Sequence, residues 1–359
     1  MKKSYLLPIF FLLMTTLHGE EKTYEFSCEE NYTLHIENCI GEITLKQVEG
    51  TKGEITFSLP EKVEIEAVLD SDDLSFSVKL PEESVLPLKK RKKRLSYTYR
   101  GKTYSCNESS RDDLYVKITA KVPAQGSFDI TNGFGKIDIA KIQGAYSFCG
   151  EESEGVIKDI KGNGAFQIGE GDISFERCKG ALFLQNGSGK VHISDSEIAL
   201  KAVLGSCKTS LNNVVLQKGS IKIGSGALLL SGCSGDGDII SGTARIALDD
   251  HSRCKRLLIH SGSAPIRLKG DFSELEQLEL VSASGGITFS SYPFPEMSLE
   301  CFSASGNIID NVCSKKKKRE GHFFEKDFGV NGKGTIYSAS GDIRLESKQK
   351  RKSSHSREE

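Results

Sequence analysis

Tryptophan is absent from this chain, methionine occurs three times and proline eight times. No stretch carries the i, i+3, i+4, i+7 spacing of apolar residues that a surface helix needs, which argues against a helical protein. After residue 19 no apolar run approaches the roughly 20 residues of a spanning helix. The ten cysteines include no Cys-x-x-Cys pair, and no histidine stands at zinc-finger spacing from two of them, so a metal site of that kind is not expected. An excess of one charge is missing too. Against 49 Asp and Glu stand 48 Lys and Arg, a net charge of −1 that gives no basis for nucleic-acid binding by the chain as a whole.

Glycine is abundant, at 36 residues, and its placement organises the chain. Residues 166–193 read FQIGEGDISFERCKGALFLQNGSGKVHI. Phe166 and Ile168 alternate with polar neighbours, a glycine corner follows, and Ile173 and Phe175 alternate again. Leu182 and Leu184, the corner Gly187-Ser188-Gly189, then Val191 and Ile193 repeat the phrase with a step of 18 residues from Gly171 to Gly189. Period-two alternation gives each strand one apolar and one polar face, and the glycines allow the corners. A repeat this short cannot bury its own apolar face, so copies must stack. The pattern predicts an all-β fold, a parallel β-solenoid over residues 126–345, behind an N-terminal antiparallel β cap over residues 20–125.

The remaining segments are read by composition. Residues 1–19 have a basic start (Met1, Lys2, Lys3), a short apolar run over 5–17 and small Gly19, the form of a cleaved signal peptide. Export to the periplasm, outer membrane or cell surface follows, with no integral membrane segment after cleavage. Residues 313–331 break the repeat and predict a loop inserted between coils. Residues 346–359 hold no apolar side chain and predict a disordered charged tail. Cys28 with Cys39, and Cys301 with Cys313, are close enough to bridge neighbouring strands, while Cys149, Cys178, Cys207 and Cys233 suit small apolar fillers.

Six consecutive basic residues, Lys89, Lys90, Arg91, Lys92, Lys93 and Arg94, stand in the cap region. They fit a solvated, self-repelling loop, or a patch for an anionic surface. The second such run is Lys315 to Arg319. The candidate catalytic carboxylates are Asp172, Asp195, Asp236, Asp238, Asp249 and Asp250. Asp172, Lys190 and Asp342 occupy equivalent outward corners, each followed by a buried Ile or Val, where any solvated corner holds a polar residue. No catalytic, cofactor or metal residue is assigned on that basis. His192 and His260 lie beside apolar strand residues without ligand spacing, and Gly235-Asp-Gly-Asp238 only approximates a calcium-binding repeat. The absence of Trp, and Phe falling on inward positions, speak against a sugar-binding platform.

The residues 114–123 (LYVKITAKVP), Phe128-Asp-Ile130, the corner Asn132-Gly-Phe-Gly135 and the repeated Gly/Ser-Gly-Asp/Lys/Asn-Ile/Val units resemble the DUF4097 family of adhesin-like, β-strand-repeat exported bacterial proteins. The similarity runs from about Gly41 to Leu345. It implies a β-solenoid and a role at the cell envelope, and it supplies no catalytic residues. The expected function is non-enzymatic binding of an envelope or host surface ligand, protein or glycan. The alternatives are an envelope-stress or signalling component that binds a membrane protein through residues 89–94, and a carbohydrate-active β-helix enzyme.

Overall fold

The computed structural model describes residues 20–28, 32–70, 73–80, 94–99, 102–107, 112–123, 125–312, 317–319, 322–329 and 331–347. The expected signal segment 1–19, basic residues Lys89 to Lys93, Cys313 and residues 348–359 of the expected tail lie outside them. The described residues form strands, turns and one 3-10 turn, Asp112–Leu114, with no α-helix among them. Among the described residues no helix is long and apolar enough to cross a membrane. The chain divides into two compact units between Gly144 and Ala145.

The first unit is a mixed sheet, not the antiparallel cap expected. Glu20–Ser27 pairs antiparallel with Lys52–Leu59, which pairs antiparallel with Val116–Val122. The long strand Tyr32–Gln47, however, lies parallel to Asp73–Lys79, to Val116–Val122 and to Gln125–Ala140. The reason is local. Tyr32–Gln47 and Gln125–Ala140 each carry an apolar alternation on both sides of a corner glycine, and those glycines, Gly41 and Gly135, pair in register. Beside them Asn38 donates to Asn132 at 3.0 Å, and the Asn132 amide donates to the carbonyls of Gly41 and Lys136. Gln125–Ala140, expected to open the repeat array, thus also has a parallel partner nearly a hundred residues earlier, Tyr32–Gln47.

In the second unit, Gln143–Lys158, Gly164–Glu170 with Ile173–Glu176, Lys179–Ser194, Glu197–Asn212 and Val215–Ser231 follow one another in parallel register. Residues 18 apart are partners until a bulge at Gln217 adds one residue, which is why the spacing loosens beyond Ser194. Identical register stacks like on like. One inward column reads Phe148, Phe166, Leu184, Ala202, Ile221, Ile239, Ile259, Leu280, Ile336 and Cys301. Another reads Ile173, Val191, Thr209, Leu228, Ile246, Ile266, Ile287, Ile343 and Ile308. All are buried. Each large apolar side chain in such a column contributes about 1.5–3 kcal/mol before its entropy is subtracted. Cys178, Cys207 and Cys233 are buried as fillers, whereas Cys149 is half-buried and pairs with outward Gln167.

The corners repeat as faithfully as the columns. Asp159, Arg177, Asp195 and Asn213, 18 residues apart, all take positive φ, between 49° and 55°. Asp and Asn tolerate that left-handed turn better than most residues. Further on, the Ser-Ala-Ser-Gly phrase has its own logic. Its first serine is buried, at Ser282, Ser303 and Ser338, and accepts the N–H of the glycine three residues later at 2.8–2.9 Å. Ser303 and Ser338 also donate to glycine carbonyls of neighbouring repeats, Gly341 and Gly285.

The strand order near the end departs from the chain order. Lys333–Ser338 lies between Gln277–Ser282 and Ser298–Ser303, parallel to both. Ile343–Glu346 likewise lies between Ile287–Ser291 and Ile308–Asn311. The expected insertion 313–331 is not simply a loop. Phe323–Asp327 pairs antiparallel with Ser298–Ser303, and Lys317–Arg319 antiparallel with Ile308–Asn311. An exposed parallel edge would recruit other strands, and these short antiparallel strands cover it.

Two outcomes test the stack. Gly189 has φ +111°, and a β-carbon there would lie 2.2 Å from the Gly171 carbonyl oxygen. Gly189→Ala should cost more than about 3 kcal/mol in urea unfolding, whereas Gly237→Ala, whose β-carbon would meet only Leu257 at 3.7 Å, should be tolerated. Thr209 interrupts an aliphatic column with a buried hydroxyl that has no hydrogen-bond partner. Thr209→Val should therefore raise stability by about 1 kcal/mol, read as a higher unfolding midpoint.

Candidate functional site

The inward positions of the second unit are filled, so recognition by this unit falls to its outward columns, and two of them stand out. The first lies beside the serine corners. Ile240, His260, Val281, Tyr337, Phe302 and Phe323 are cross-strand neighbours in that order. Ile240 is 50% exposed, Tyr337 and Phe302 37% each, and Phe323 58%. The Phe302 and Tyr337 rings stack at 5.4 Å between centroids and 8° between planes. Two residues away along the same strands runs a column in which four of six members are acidic: Asp238, Leu258, Glu279, Thr335, Glu300 and Glu325.

The second is a groove over Arg245–His251, Ile266–Gly270, Ile287–Ser291 and Ile343–Glu346. Arg245, Arg267, Arg344, Asp249, Asp342 and Thr288 are among its lining residues. Arg267, Thr288 and Arg344 are successive partners in one ladder. Asp342 accepts the N–H and side-chain amide of Asn307 and lies 3.9 Å from Arg344.

The sequence-derived candidates fall unevenly on these surfaces. Of the basic run, Lys89 to Lys93 lie outside the described residues, and Arg94 begins the strand Arg94–Tyr99, its side chain undescribed. Asp172 accepts from the Lys190 ammonium at 2.5 Å and from its N–H at 2.8 Å; that side-chain bond holds the Asp172 carboxyl below its usual range. Such an exposed pair contributes little to stability. Asp195 accepts from Asn213, and Asp159 takes Arg177 in a two-point grip at 2.6 and 3.1 Å. Asp236 accepts the N–H groups of Lys255 and Arg256, and Asp238 pairs with the Arg256 guanidinium. Asp250 takes positive φ at another turn. Asp249, weighed as a catalytic carboxylate, and Asp342, read as an outward corner residue, are brought into one groove with three arginines.

Sequence reasoning missed the aromatic column by expecting Phe to point inward. In Leu299-Glu-Cys-Phe-Ser303, Leu299 and Cys301 fill the interior, so Phe302 faces out and Ser303 goes in. The signal was the corner serine, whose hydroxyl is consumed by backbone and can be buried.

The thiols in the core are chemically quiet. Burial pushes Cys178 up to about 11, and Cys254 and Cys301 up to about 12. Among the described residues no three His, Cys, Asp or Glu side chains are grouped to hold a metal ion.

No family model matches the chain, and no curated protein does. A solved structure described as a "putative cell adhesion protein" from Clostridium sporogenes aligns over 92% of this chain and 100% of its own, at 11% identity and a TM-score of 0.19. A likeness at that TM-score carries no weight for fold or function.

One titrating group near these faces gives a pH test. His251 is 1% exposed; its Nε2 donates to the Gly235 carbonyl at 3.0 Å, Nδ1 has no partner, and the ring packs near Phe272. Burial lowers its pKa, so the folded protein resists a proton that the unfolded chain accepts at about pH 6.5. Its contribution is full above that pH and is lost as pH falls toward the lowered folded value. Between about pH 7.5 and 5.5 the urea unfolding midpoint should fall further in the native chain than in His251→Gln.

Proposed function

We propose that the chain is an exported parallel β-solenoid, of the adhesin-like kind typified by the DUF4097 family, that works by binding at the cell envelope or surface rather than by catalysis. The in-register parallel ladders support the solenoid reading, and residues 1–19 support export. The observation that carries the binding role is the outward apolar column from Ile240 to Phe323. The interior is already filled, so this column adds nothing to the core, and an apolar stripe left in water is the usual mark of a binding surface.

The groove favours a second reading. Arg245, Arg267 and Arg344 beside Asp249 and Asp342 form a carboxylate–arginine set suited to an acidic glycan, the arrangement that a carbohydrate-active enzyme would need. One experiment separates the two. Envelope fractions incubated with purified native chain, with Phe302→Ser/Tyr337→Ser and with Arg267→Ala are sedimented, and any released glycan is assayed. The binding reading expects retention to fall at least about tenfold in the aromatic double variant alone, without glycan release. Release that Arg267→Ala abolishes would establish the second reading, and equal retention of all three chains would remove the first.

A further inference from the structure

The outward apolar column has a flank whose chemistry narrows what it can bind. Glu300 and Glu325 stand directly opposite each other on antiparallel strands, next to the Phe302 and Phe323 pair. Like charges placed across a strand pair are destabilising. Among the described residues neither carboxylate has a basic partner, whereas Glu279 and Asp238 farther along the column are taken by His260 and Arg256. The fold thus keeps a repulsive carboxylate pair beside exposed aromatic rings. A cation seated between them removes the repulsion. A neutral sugar does not, and an anionic glycan or lipid headgroup adds to it.

The rings argue in the same direction. Phe302 and Tyr337 each spend one face on the other, which leaves less open ring face for a pyranose than two separate platforms would. The ring edges and Val281, with His260 held by Glu279 and then Ile240 beyond, suit aliphatic and aromatic side chains.

We propose that this stripe seats a basic amphipathic polypeptide segment, its apolar side chains on the column from Ile240 to Phe323 and its Lys or Arg residues over Glu300 and Glu325. The proposal rests on the binding reading above and names the partner class for the same surface. Dimensions agree. Five ladder steps of about 4.8 Å span about 24 Å, the length of a helix of about 16 residues at 1.5 Å rise. The apolar and acidic columns lie two residues apart along each strand, about 7 Å, within the width of one helix.

The test uses the full chain and a fluorescent, about 16-residue Lys/Leu amphipathic helix, followed by anisotropy. A Glu/Leu peptide of the same pattern and a neutral oligosaccharide serve as competitors. The expected result is saturable binding that weakens with salt, falls at least about tenfold in Glu300→Gln/Glu325→Gln, falls similarly in Phe302→Ser/Tyr337→Ser and is unchanged in Arg267→Ala. Both glutamates are exposed, so the glutamine variant remains decisive if the aromatic variant fails to fold. Binding indifferent to the glutamine substitutions, equal binding of the Glu/Leu peptide, displacement by the oligosaccharide or no binding at all would each overturn the proposal. If envelope retention still depends on Phe302 and Tyr337 while peptide binding fails, the binding role stands and only the cationic partner is lost. Failure of both removes the surface altogether.

Discussion

Parallel pairing in fixed register is the constraint on which the second unit depends. When residue i hydrogen-bonds beside residue i+18, each side chain lies on its own counterpart in the next repeat. Phe166 rests on Leu184, Ile173 on Val191 and Phe175 on Ile193. Period-two alternation then sends every column wholly inward or wholly outward, because a slip of one residue would reverse all of them together. The interior is therefore determined column by column, and the outer face is free to vary.

Holding that register falls to the corners. Glycine serves where two backbones come too close for a β-carbon, as at Gly189 over Gly171. Asp, Asn and Arg serve where the turn is left-handed but open to water, and there the side chains pair with their neighbours one repeat away, Arg177 with Asp159 and Asn213 with Asp195. Serine serves where the corner is buried, since its hydroxyl can satisfy one N–H and one carbonyl at once. Three chemistries thus solve one geometric problem, the choice set by whether water reaches the corner.

This division explains how far the sequence could be read. Alternation and the 18-residue step made the strands and the parallel stacking from Gly164 to Ser194 legible, since those depend on neighbours in the chain. The mixed pairing of Tyr32–Gln47 was hidden, because its partners Val116–Val122 and Gln125–Ala140 are far away in sequence and nothing local announces them. The strands within 313–331 were hidden for a different reason: a lysine-rich segment suits an edge as well as a loop. Of the candidate surfaces, Asp249 and Asp342 were noticed singly, but their meeting with Arg267 and Arg344 depends on strand order. The outward turn of Phe302 followed from a serine that behaves as a core residue.

The displaced order of the last strands has a consequence for timing. As the polypeptide emerges from its first residue to its last, repeats as far as Ser291 can dock on their predecessors as soon as they appear. The pair Ser298–Ser303 and Ile308–Asn311 has no such berth, because its parallel neighbours among the described residues, Lys333–Ser338 and Ile343–Glu346, have not yet been made. Those final residues act as a keystone, joining an assembled stack to a waiting piece. A chain stopped just short of them would be left with a gap in its middle rather than a shorter end.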